Sequence, residues 1–171
     1  MADPHVSVVL ACYNEEETLE TSFQEIWRTL DGLNRTSEVI FVDDVSRDRT
    51  PEIIRGLVAE NPGRVRAIFH EQNRGRGATV TDGFRASRAE IVGFLDVDLE
   101  VHARYLPSLV AAIEDGADVA TVRRIYAFQA RSLDRYFMSR GYSLLVRRLL
   151  DVPLQDTETG VTREFTIDEK L

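Results

Sequence analysis

Glu90-Ile91-Val92-Gly93-Phe94-Leu95-Asp96-Val97-Asp98 decides the fold. A short apolar run between acidic ends reads as a strand buried on both faces, the kind found in parallel sheets covered by helices. The strand ends in a carboxylate, skips one residue and offers another. Alternate residues of an extended chain point the same way, so Asp96 and Asp98 are expected to project together. Two such carboxylates repel unless a cation lies between them. Mg2+ or Mn2+, held by one or two carboxylates plus a diphosphate, meets that need, with Glu100 a further candidate ligand. An ordinary acidic loop or helix cap is the alternative for the same residues.

The pattern repeats outward from this strand. His5 to Cys12, Glu38 to Asp43 and Arg64 to His70 read as strands, and Ala117 to Val122 as a fifth after Glu90 to Asp96. Between them, Glu15 to Leu33, Asp48 to Glu60, Gly75 to Ser87 and Ala103 to Asp115 read as helices, with a last helix over Leu133 to Leu150. The first shows Leu19, Phe23, Ile26, Trp27 and Leu30 at helical spacing, and Pro51 is allowed in the first turn of the second. Alternating strands and helices imply right-handed crossovers, hence an α/β fold with a mainly parallel sheet and helices on both faces. Ligands of such sheets sit at the C-terminal strand ends, near the switch point in strand order. Polar residues gather there in four loops: Tyr13-Asn14-Glu15, Asp43-Asp44, Asn73-Arg74-Gly75 and Asp96-Val97-Asp98.

Composition narrows the class. The chain has 171 residues, 43% of them apolar, which suggests one domain over 1–171 with a proper core. A net charge of −8 makes it a poor binder of nucleic acid. Cys12 is the single cysteine, which excludes an internal disulfide and a cysteine zinc cluster; it reads as a buried structural thiol. No signal peptide and no run of 18 apolar residues is present, so the chain reads as soluble or peripheral, in the cytoplasm. Its polar ending over Thr166 to Leu171 reads as a C-terminal truncation.

The remaining motifs each admit two readings. Asp44 at a strand end can accept from a nucleobase N–H or a ribose hydroxyl, while Ser46 or Asp48 can simply cap the next helix. Tyr13 can lie against a nucleobase and Glu15 can hold a ribose; equally, Asn14 can cap a helix whose first turn is acidic. Asn73-Arg74-Gly75-Arg76-Gly77 lacks the Gly-Lys-Ser/Thr of a phosphate loop, which rules out a P-loop nucleoside triphosphatase. Residues 123–150 carry seven arginines, one acid and interleaved aromatics, or +6 within a chain of −8. Such a segment suits a membrane surface or a phosphate, or else a solvated helix face. Asp156 or Glu158 is a general base or a loop acid.

Taken in order, residues 8–16, 42–50, 73–78, 95–100 and 156–160 resemble the family 2, GT-A-fold (Rossmann-like) glycosyltransferases. The nearest branch holds dolichol-phosphate mannose synthase and bacterial polyprenyl-phosphate glycosyltransferases. The resemblance implies a metal-dependent, inverting enzyme that moves a sugar from a nucleotide-sugar of the GDP-mannose or UDP-glucose type to a polyprenyl or dolichyl phosphate. It places that work at the cytoplasmic membrane face. It implies Ala11, Tyr13, Glu15, Val42, Asp44 and Asp96 around the nucleotide-sugar, and Asp98 and Glu100 on Mg2+ or Mn2+. Arg124, Arg135 and Ser139 fall on the acceptor phosphate; Asp96, Asp98, Arg124, Arg135 and Asp156 form the catalytic set. This chain departs from the family at Ala11, where proline is usual, at Val45, where glycine or asparagine is usual, and at Glu100, where the branch often has glutamine. A family 2 transferase acting on a glycan hydroxyl, and a non-catalytic nucleotide-sugar-binding module, are the rival readings.

Overall fold

The computed structural model describes residues 3–122 and 160–162, which fall within one compact unit. In chain order the elements are β1 (Val6–Cys12), α1 (Leu19–Asp31), β2 (Ser37–Asp43), α2 (Thr50–Glu60), β3 (Val65–Phe69) and α3 (Arg76–Ala86). Then follow β4 (Ile91–Asp96), a 3-10 turn (Ala103–Tyr105), α4 (Leu106–Glu114), β5 (Val119–Ala120) and β6 (Gly160–Thr162). The sheet runs in the order β3-β2-β1-β4-β6-β5. Its first four strands are parallel, as expected, and β6 lies antiparallel to β4 and β5. Strand order reverses at β1: β2 and β3 step away on one side, β4 on the other. The switch point therefore lies between β1 and β4.

Period-two burial places the helices. Val8, Leu10 and Cys12 of β1 and Val39 and Phe41 of β2 face one way, against Phe23, Ile26 and Leu30 of α1, Ile54 of α2 and Leu109 and Ile113 of α4. Val9, Ile40, Val42 and Val92 face the other way, with Phe84 of α3. Both faces are thus covered, which is why the middles of these strands are apolar and most of their polar residues, such as Ser37, Glu38, Asp43 and Asp96, fall near the ends. Cys12 is buried, and burial pushes its thiol well above its ordinary range, so it stays protonated.

Three helices start two or more residues later than their sequences suggest, α4 at Leu106 because residues 103–105 form the 3-10 turn ahead of it. The α1 helix begins at Leu19 instead of Glu15, after a turn in which the Glu15 carbonyl accepts from the Thr18 and Leu19 N–H groups, and three backbone N–H groups ahead of the helix reach across to another loop. Those of Asn14, Glu15 and Glu16 donate to Ser46 Oγ (2.9 Å), Thr50 Oγ1 (2.7 Å) and Asp48 Oδ2 (3.0 Å). Asn14 therefore caps nothing. The α2 helix begins at Thr50, whose N–H donates to Asp48 Oδ1 at 3.0 Å, so Asp48 does cap that helix. The strand expected over 117–122 is only Val119–Ala120, and the helix expected over 133–150 lies outside the described residues.

Three turns at the C-terminal edge hold a non-glycine residue in the left-handed region: Asn14 (φ 59°), Val45 (φ 66°) and Leu99 (φ 50°). Asparagine tolerates this and a β-branched side chain does not. The family's usual glycine or asparagine at position 45 thus has a steric reason. Val45→Asn is expected to stabilise the protein by about 1 kcal/mol, a rise of about 2–4 °C in a thermal melt. Helix glycines divide by space. A Cβ on Gly83 of α3 would meet Val9 Cγ1 at 2.3 Å and Val42 Cγ2 at 3.2 Å, whereas one on Gly56 of α2 meets nothing within 4 Å. Gly83→Ala should therefore cost about 1–3 kcal/mol in urea unfolding, while Gly56→Ala should add about 0.5–1 kcal/mol.

Candidate active site at the C-terminal edge of the sheet

Register alone assembles the first row of the site. Ala11 pairs with Val42 on one side and with Asp96 on the other. Val42 is fully buried and supports the row from below. Beyond Ala11 the chain leaves the sheet, and Tyr13 stands 47% exposed at the mouth of the β1–β4 crevice. Its ring offers an open flat face where a base could stack.

The acids on the β4 side are arranged differently from the sequence expectation. The strand ends at Asp96, and the Leu99 N–H closes a turn on the Asp96 carbonyl at 3.1 Å. Asp98 therefore sits in a turn and not on an extended chain; its Oδ1 accepts from the Glu100 N–H at 3.1 Å. Val97 between them is buried, and Asp98 and Glu100 are exposed. Asp96 is gripped by Arg76, the first residue of α3, through both carboxylate oxygens at 2.9 and 2.7 Å. Burial still pushes the Asp96 carboxyl above its ordinary value. Arg76 opposes that shift, and the charges of Asp98 and Glu100 add to it. Glu15, across the crevice on the β1 side, is also raised: by burial first, against a hydrogen bond from Thr18, and further by Asp98, Asp48 and Asp96. Carboxylates from three loops thus share one field.

Two loops are strapped together beneath Tyr13. Besides the three bonds from residues 14–16, the Arg47 N–H donates to Asn14 Oδ1 at 2.8 Å and the Arg49 N–H to Glu16 Oε2 at 2.9 Å. Burial opposes ionisation of Asp48, but bonds from Thr50 and the Glu16 N–H outweigh it and hold the carboxyl below its ordinary value.

Asp44 is buried and internally saturated. Its Oδ1 accepts from His70 Nδ1 (2.7 Å) and the Arg74 N–H (2.8 Å), and its Oδ2 from the Gly75 N–H (2.8 Å). Burial alone would raise this carboxyl; those donors lower it below its ordinary value. Its neighbour Asp43 accepts from the Ser46 N–H at 3.2 Å through Oδ2, while its buried Oδ1 has no hydrogen-bond partner among the described residues. Of the carboxylate pair expected to need a partner, the open oxygen is on Asp43.

Fit to a divalent cation follows from the donor set. Among the described residues no three His, Cys, Asp or Glu side chains gather into a cage. The crevice offers hard carboxylate oxygens from Asp96, Asp98 and Glu100 instead. An ion that takes one or two carboxylates and completes its shell with phosphate oxygens matches Mg2+ or Mn2+. Arg124, Arg135, Ser139 and Asp156 lie outside the described residues. Two residues at this edge escaped the sequence reading, His70 and Arg76. The first looked like the end of a strand, and the second was passed over for the glycines flanking it.

Comparison with known proteins agrees with this architecture. The family model for glycosyl transferase family 2 matches residues 7–164. A dolichol-phosphate mannosyltransferase of Pyrococcus furiosus is 36% identical over 169 residues, covering 97% of this chain and 47% of that protein. An undecaprenyl-phosphate 4-deoxy-4-formamido-L-arabinose transferase of Shewanella sediminis is 33% identical over 152 residues, covering 88% of this chain and 45% of that protein. The chain thus spans about half the length of these curated relatives. A mannosyltransferase of Pyrobaculum calidifontis, solved with GDP-Man and Mn2+, superposes with a TM-score of 0.64 at 21% identity, over 95% of this chain and 45% of that one; it shows the shared fold. A match along most of the chain and relatives above 30% identity give one conclusion: this protein belongs to glycosyl transferase family 2.

Proposed function

We propose that this chain is the donor-binding and catalytic part of a metal-dependent, inverting transferase that moves a sugar from a nucleotide-sugar to a polyprenyl or dolichyl phosphate. The observation that carries the reading is the row Val42–Ala11–Asp96 at the switch point, with Tyr13 and Glu15 above it and Asp98 and Glu100 beside it. The names of both relatives begin with a polyprenyl phosphate, undecaprenyl in one and dolichol in the other, which supports that acceptor class here. Among the described residues no helix is long and apolar enough to cross a membrane.

In this reading Tyr13 stacks on the base, Glu15 holds the ribose, and Ala11 lines the nucleoside, with the buried Val42 and Asp44 supporting it from behind. Asp98 and Glu100 hold Mg2+ or Mn2+, which when bound supplies Lewis-acid neutralisation of the leaving diphosphate. Asp96 orients the sugar, and its pairing with Arg76 keeps a cation at the edge where the pyrophosphate charge falls. Arg124, Arg135 and Ser139 bind the acceptor phosphate. That phosphate is mostly ionised near neutral pH, its second pKa being about 6, so its oxygen attacks the anomeric carbon without a strong base. A sugar hydroxyl acceptor would instead need a base, and Asp156 would take that place.

Two experiments test the reading. Calorimetric titration of UDP- and GDP-sugars with and without Mn2+ should give metal-dependent binding, weakened about tenfold or more by Asp98→Asn; donors that fail to bind with manganese present would sink it. The acceptor class separates by mutation. Asp156→Asn should leave transfer to polyprenyl phosphate measurable, whereas Arg135→Ala should abolish it; the opposite pattern assigns a glycan hydroxyl acceptor.

A further inference from the structure

His70 follows β3 and is almost fully enclosed, its side chain 6% exposed. On one side its Nδ1 meets Asp44 Oδ1 at 2.7 Å. On the other its Nε2 lies 3.2 Å from Asp82 Oδ2 of α3, within ion-pair reach but outside hydrogen-bonding geometry. Asp82 is in turn paired with Arg74 and Arg85. An ionised carboxylate only accepts, so the ring proton facing Asp44 resides on Nδ1. From Asp44 the connection runs onward. Its two oxygens take the N–H groups of Arg74 and Gly75, and its carbonyl accepts from Asn73 Nδ2 at 3.1 Å. Gly75, at φ 79°, is the residue from which α3 departs, and the next residue is Arg76, which grips Asp96.

We propose that His70 is a positioning residue for donor binding. It holds the Asp44 carboxylate in the orientation that clasps the Arg74 and Gly75 amides, and so fixes where α3 begins and where Arg76 stands against Asp96. The proposal rests on the reading that this edge binds a nucleotide-sugar. His70 touches no substrate; it acts through Asp44. Without it, Asp44 stays buried with part of its acceptor capacity unfilled, and the 73–75 loop loses its fixed anchor.

The test compares the whole chain with His70→Ala, His70→Asn and His70→Gln. An Asn amide N–H falls near the place of Nδ1 and keeps a donor for Asp44; a Gln amide falls nearer Nε2 and abandons it. The measurements are hydrogen exchange at the Arg74 and Gly75 amides and calorimetric binding of UDP and GDP with Mn2+. His70→Ala and His70→Gln should each speed exchange at both amides and weaken nucleotide binding by about tenfold, while His70→Asn stays within about threefold of wild type. Amides in β1 and β2 should keep wild-type protection in all variants. If His70→Ala does not fold, the Asn and Gln variants decide between themselves. Equal behaviour of those two, or exchange that rises equally across β1 and β2, overturns the proposal. A wild type that binds neither UDP nor GDP removes the functional reading, while the exchange measurements still decide the clasp.

Discussion

Like charges crowd the C-terminal edge of this sheet, and the loops there are arranged around keeping them apart or answered. Glu15, Asp44, Asp48, Asp96 and Asp98 come from three strand ends, yet the charges of Asp48, Asp96 and Asp98 all act on Glu15, and that of Asp98 acts on Asp96. The edge solves this in two ways. Asp44 and Asp48 are turned inward and saturated with donors, which lowers both below the usual carboxylate range. Glu15 and Asp96 are left under-compensated, which raises them. The inward pair builds the walls, and the raised pair faces the crevice. A cation entering that crevice meets oxygens whose repulsion it relieves, and such repulsion is what hard-ion sites commonly exploit.

The sheet supplies the rigid floor. Parallel pairing through β3-β2-β1-β4 aligns four strand ends on one edge, α3 is seated closely on Val9 and Val42, and its first residue, Arg76, meets Asp96. Position therefore flows from packing to chemistry.

Much of this was legible from residues alone. The strands announced themselves because burial on both faces leaves an unbroken apolar run, as in Val39 to Val42. The polar edge with Asp96 followed from strand ends falling together at a switch point, whereas Ala11 and Val42 came from the family resemblance alone. What escaped the reading was non-local. The amides ahead of α1 bond to side chains more than thirty residues away, at Ser46, Asp48 and Thr50, which no local pattern announces. Period two failed at Asp98 because the chain turns after Asp96, with Leu99 left-handed. Strand β6 has three residues, Gly160–Thr162, too few to show a period. His70 gave no signal in its own neighbourhood, since its partners Asp44 and Asp82 come from other elements. A motif search weighs what is adjacent in sequence, and this site is joined across it.

The mutual strapping of residues 14–16 with residues 46–50 has a consequence for heredity. Most of the partners cross between the two segments: the amides of Asn14, Glu15 and Glu16 are met by Ser46, Thr50 and Asp48, and those of Arg47 and Arg49 by Asn14 and Glu16, while only Thr50 turns to Asp48 of its own segment. Drift in either must be matched by drift in its counterpart. A chimera that imports the first segment from a cousin and keeps the second would inherit donors without acceptors. The two stretches are best regarded as one heritable cassette, split by a helix and a strand but travelling together.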